Sequence, residues 1–76
     1  MIGFRDAAQI VESCSAEAEP DVATALSLLA MGLRWRSGFP DGNEHPADMT
    51  AGYGFMFPAL RPTLLDLADR MRAFPD

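Results

Sequence analysis

Apolar positions recur every three to four residues through most of this chain, a period that predicts helices. In the first stretch Ala7, Val11, Cys14 and Ala18 fall on one line, with Phe4 and Ile10 beside it. They predict a helix over residues 4–17 that frays near Ser15. The segment Glu17-Ala18-Glu19-Pro20 breaks it. Pro20 then suits the first turn of a second helix, where a missing N–H leaves no hydrogen bond unmade. Glu19 and Asp21 would lie at the positive end of that helix.

The second helix, predicted over 20–36, carries two apolar stripes. Val22, Leu26, Leu29 and Leu33 form one; Leu28, Met31 and Trp35 form another, more than a third of a turn away. Only Ala23, Ser27 and Arg34 remain for a solvent face. A helix apolar on two sides is expected to be central and covered on both. Gly32, costly inside a helix, points to a close approach there. Ser37-Gly38 supplies the stop.

The stretch Ser37–Asp48 reads as a hydrated joint. Phe39-Pro40-Asp41-Gly42-Asn43 has the residues of a tight turn, and His45-Pro46 opens a third helix with Asp48 in its first turn. Residues 47–57 fit two patterns. Met49, Tyr53, Met56 and Phe57 match a helix, while Tyr53, Phe55 and Phe57 alternate as in a strand. Gly52 and Gly54 weaken both, and a short or irregular helix is favoured because a lone strand has nothing to pair with. Pro58 and Pro62 interrupt the chain before a last helix over 63–74, capped by Thr63 with Asp66 reaching back. Leu60, Leu64, Leu67, Met71 and Phe74 make its stripe, Leu65 points away, and Asp66–Arg70 and Asp69–Arg72 are spaced to pair. The fold class expected is all-α: a compact bundle of three to four short helices, one domain over 1–76, with the second helix central.

Composition narrows the function. A chain of 76 residues builds one small core, worth no more than about 3–5 kcal/mol net, and little of it is spare for a deep active site. No apolar run approaches the roughly 20 residues of a membrane span, and the first residues lack the cationic flank and apolar stretch of a secretory signal. One cysteine, Cys14, fits a reducing, cytoplasmic setting. All six basic residues are arginine, the usage of a GC-rich coding genome, bacterial or of an element living in one.

Net charge is −5, and between Asp6 and Leu33 there is no basic residue. That stretch instead carries Asp6, Glu12, Glu17, Glu19 and Asp21. Nucleic-acid binders gather positive charge on one face, so direct binding of DNA or RNA is disfavoured and a basic protein partner fits better.

The candidate chemistries are thin. Asp41, Asn43, Glu44, His45 and Asp48 crowd one loop, but counting from Asp41 places Pro46 where a calcium loop needs glycine. One histidine and one cysteine, 31 residues apart, do not make a zinc site. A Cys14–His45 dyad would need a thiol that sits on an apolar stripe and a histidine expected to hydrogen-bond locally. Gly52-Tyr53-Gly54 lacks the rest of a phosphate loop, and nothing builds a pocket around Glu17 and Glu19. Arg34-Trp35-Arg36 is the best nucleic-acid candidate. A helix end with favourable cations and a tryptophan packed in the bundle is the expectation set against it. Met31, Met49, Met56 and Met71 are expected in the core.

The motifs are too generic to carry a family resemblance. The sequence therefore points to no enzyme, cofactor or metal. It points to a small acidic helical module that binds another protein, an inhibitor, adaptor or regulator of phage or plasmid type directed at a basic nucleic-acid-handling protein. The alternatives are a homodimeric accessory subunit and, behind it, a nucleic-acid binder using Arg34, Trp35 and Arg36. Two surfaces would do the binding. Leu28, Met31 and Trp35, extended by Leu65 or the aromatics of Gly52–Phe57, would anchor a partner, and Glu12, Glu17, Glu19 and Asp21 would steer it.

Overall fold

The computed structural model describes residues 2–39 and 44–74. Within them the chain forms four α-helices and no strand: α1 (Phe4–Ala16), α2 (Pro20–Arg36), α3 (Pro46–Gly52) and α4 (Arg61–Arg72). Two single 3-10 turns, Tyr53–Phe55 and Pro58–Leu60, join α3 to α4. The all-α bundle expected from the periodicity is what forms, and residues 47–57 are the short helix with an irregular end. The tight turn predicted at Phe39–Asn43 lies almost wholly outside the described residues.

α2 has the predicted bounds because its ends are marked chemically. Pro20 occupies the first turn, Asp21 faces the positive end, and Arg34 and Arg36 occupy the negative end. Leu26, Leu29 and Leu33 are completely buried, so one of its two apolar stripes forms the centre of the core. α1 runs antiparallel along it: Phe4 lies under the Arg36 guanidinium at one end, and the Ser15 hydroxyl donates to the Ala23 carbonyl (3.0 Å) at the other. α3 and α4 pair with each other and close the remaining side, adding Leu64, Leu67 and Met71 to the core.

Two helix starts follow from local chemistry. His45 caps α3: its Nδ1 accepts the Ala47 N–H at 3.0 Å, the local hydrogen bond expected of it. Thr50, the one buried polar residue described, donates its hydroxyl to the Pro46 carbonyl (2.9 Å) with the Met71 sulfur at 3.3 Å. α4 differs from expectation. It begins at Arg61, with Leu60 as its cap residue and Pro62 inside its first turn, and no side chain caps it. Pro62 thus starts the helix instead of interrupting it, because a proline there costs no hydrogen bond. Thr63 is consequently within the first turn and not the N-cap. Of the two predicted pairs on α4, Asp69 and Arg72 lie 3.9 Å apart, whereas Asp66 and Arg70 form none among the described residues.

Gly32 answers to a neighbour. A Cβ there would sit 2.6 Å from the Tyr53 hydroxyl and 3.0 Å from the Met49 methyl. The missing side chain seats Tyr53 against α2, and with it the segment that runs on to Leu60.

Candidate docking surface

The second apolar stripe of α2 is not covered. Leu28 is 47% exposed, Met31 65% and Trp35 68%, and Phe39, one turn beyond, is 49% exposed. The Trp35 and Phe39 rings lean together with centroids 4.7 Å apart. This corrects two expectations. Trp35 is not packed in the bundle, and Met31 and Met56 are not core residues; Met49 and Met71 do pack into the core. Phe74, placed on the α4 stripe, is also half-exposed.

The physical reason lies in side-chain size. α1 brings Ala7, Ala8 and Val11 to α2, and such small side chains dock best on an edge of α2 that is equally small. That edge is Ala23, half-buried, and Ala30, buried, flanked by Ser27 and Arg34, which stay exposed as expected from the sequence. Ser15 lies 3.3 Å from Ser27 there. Arg34, on the same edge, is bound by Glu12: the guanidinium pairs with both carboxylate oxygens, one of them at 3.3 Å. That hydrogen bond, and then the carboxylate's charge, hold the Arg34 guanidinium above its usual pKa. With the small edge taken by α1, the bulky stripe is left outward.

Beside that stripe runs an open groove of about 550 Å³, between the N-terminal half of α2 and the segment from Met56 to Leu60. Val22, Ala25, Leu28, Phe57 and Leu60 give it apolar walls, and Glu19 and Asp21 stand at its edge. Leu28 belongs to both the stripe and the groove. Of the segment Gly52–Phe57, Met56 and Phe57 line the groove, whereas Tyr53, Phe55 and Leu65 do not.

The acidic tract, continuous in sequence, is divided in space. Glu12 is neutralised by Arg34. Glu17 lines a smaller cavity of about 340 Å³ with Ile10, Ser13, Cys14 and Arg70. Only Glu19 and Asp21 remain with the apolar surface, and neither forms an ion pair among the described residues. Phe39, and Val22, Ala25 and Leu60 of the groove wall, were not among the residues expected there. The i, i+4 step from Trp35 to Phe39 was a readable signal for the first; the groove wall needed tertiary structure.

The other candidates are separated or occupied. Arg36 pairs with Glu44 (3.2 Å) and also donates to the Phe39 carbonyl, so both arginines beside Trp35 are engaged by carboxylates of this chain. A nucleic-acid phosphate would have to displace them. Asp48 pairs with Arg72 (2.7 Å), and His45 is committed to its cap. Asp41 and Asn43 lie outside the described residues, and among those described no three metal-ligating side chains cluster. His45 is not among the residues lining the cavity beside Cys14. No described helix is long and apolar enough to cross a membrane. No protein-family model, no curated protein and no solved structure matches the chain.

Proposed function

We propose that this chain acts by docking to another protein and not by catalysis. One observation carries the reading: Leu28, Met31 and Trp35 on α2, with Phe39 just beyond its end, form an exposed apolar ridge, and at Leu28 it continues into a groove. Scattered surface hydrophobes need no explanation, but an apolar ridge of this kind marks interaction sites on soluble domains. Tryptophan and methionine are enriched in such sites, where they fill a partner's pockets. Glu19 and Asp21 at the groove edge favour a partner surface that presents basic residues beside apolar ones. A reducing, cytoplasmic setting suits the lone half-buried cysteine.

The role is that of a small inhibitor, adaptor or regulator whose acidic surface suits a cationic protein. The test is amide hydrogen exchange on the chain with a co-purifying protein bound. Protection centred on Leu28–Trp35, with binding lost in Trp35→Ala, is the expected result. Protection elsewhere, with Trp35→Ala binding normally, refutes it.

A further inference from the structure

We infer that Met31 and Met56 form a reversible oxidation site that disables the docking surface while the fold persists. A peroxide converts their thioethers to sulfoxides before it reaches Met49 or Met71. The effect on docking rests on the docking reading; the site itself rests on which sulfurs the fold exposes.

The described residues hold four methionines, and the fold sorts them into two pairs. Met31 and Met56 are each 65% exposed. Met71 is 1% exposed, and its sulfur already accepts the Thr50 hydroxyl at 3.3 Å. Met49 is half-buried against the core, with its methyl end beside Gly32. Oxidation of a thioether follows access, because the oxidant must reach the sulfur lone pair. In that step the peroxide O–O bond breaks and an S–O bond forms. The sulfur gives up an electron pair and is oxidised. The peroxide is reduced, and its remaining oxygen leaves as water or an alcohol, carrying the hydroxyl proton of the oxygen transferred.

Each exposed sulfur lies in a different half of the docking surface. Met31 stands between Leu28 and Trp35 in the ridge, and Met56 lines the groove. On the ridge, oxidation replaces a flexible apolar side chain by a polar one. In the groove, a sulfoxide oxygen is an acceptor that needs a donor once water is excluded. The groove supplies no side chain for that. The hydroxyl of Thr24 already donates to the Pro20 carbonyl (2.9 Å), and Glu19 and Asp21 are acceptors themselves. Docking over the oxidised groove would strip the oxygen of its water and return nothing. Docking and oxidation therefore exclude each other: a bound partner shields both sulfurs, and the free chain is the form that oxidises. The sulfoxides stay at the surface, where methionine sulfoxide reductases, one for each sulfur epimer, restore the thioethers.

The test is hydrogen peroxide treatment of the full chain. It is read by residue-resolved mass spectrometry, circular dichroism and native retention on a phenyl column. Met31 and Met56 should each gain an oxygen before Met49 and Met71. Helical content should hold, retention should fall, and the reductases should restore it. The double variant Met31→Leu, Met56→Leu should keep its retention through the same treatment. A protein that co-purifies with the chain should bind the oxidised form at least about tenfold more weakly.

Met49 or Met71 oxidising as fast as Met31 and Met56 overturns the site. So does loss of helix while only Met31 and Met56 carry oxygen, or an equal fall in retention in the double variant. The two readings fail separately. A bound protein released by Trp35→Ala but held by the oxidised chain sinks the oxidative control and keeps the docking face. A protein held regardless of either change sinks both.

Discussion

Replacing Gly32 by alanine sets two free-energy terms of known size against each other. Alanine is the better helix former, and in the middle of α2 the exchange favours folding by about 1 kcal/mol. The new methyl group would lie 2.6 Å from the Tyr53 hydroxyl and 3.0 Å from the Met49 methyl, inside van der Waals contact. Met49 can swing its flexible end aside. Tyr53 has less freedom, because its ring packs beside Phe57 with centroids 6.4 Å apart. Overpacking of this kind costs about 1–3 kcal/mol. The net result is a loss of about 0–2 kcal/mol, the difference of those two terms. Removing the Tyr53 hydroxyl reverses the sign: the next ring atom is 3.6 Å away, an ordinary contact. In a Tyr53→Phe background Gly32→Ala should therefore stabilise, by up to about 1 kcal/mol. Urea unfolding followed by far-ultraviolet circular dichroism on the four proteins of the cycle measures the coupling. A difference of 1 kcal/mol also moves the thermal midpoint of a domain this size by about 4–8 °C. Gly32→Ala raising stability equally in both backgrounds would show that Tyr53 does not rest on α2, and the far wall of the groove would then lose its anchor.

Two further outcomes follow from burial and capping. Leu29→Ala should cost about 2–5 kcal/mol, comparable to the whole stability of so small a core, whereas Leu28→Ala should stay within about 0.5 kcal/mol. Melting curves of these adjacent-residue variants show which stripe is covered, and equal losses would contradict the assignment. His45→Ala should destabilise by about 0.5–2 kcal/mol through the lost cap, with His45→Asn restoring most of it. A His45→Asn protein no more stable than His45→Ala would remove the capping role.

The sequence was legible wherever a residue's own backbone preference decided the outcome. Pro20 and Ser37-Gly38 bracket α2 by local chemistry alone, and His45-Pro46 opens α3 the same way. Reading failed where a choice between surfaces had to be made. Leu26-Leu29-Leu33 and Leu28-Met31-Trp35 are equally apolar stripes, and periodicity does not say which one a small bundle can cover. The small side chains of α1 are buried against α2, with Ser15 bonded to Ala23 at one end and Glu12 reaching Arg34 further along, a choice of edge that only the packed pair reveals. Glu12 shows the same limit: Arg34, which pairs with it, comes from the far end of the neighbouring helix, which a linear charge count does not see. Thr63 looked like a cap because Pro62 looked like a break, and only the position of Pro62 in the first turn settles the matter.

Alanines 7, 8, 25, 30, 47 and 68 are all buried here. An alanine loses no rotamers when it is enclosed and is also the strongest helix former, so the same atom serves the coil and the contact between coils. Volume is then what these positions sense first: valine or leucine would wedge the rods apart, and serine fits only where its hydroxyl can turn back to a carbonyl of its own helix.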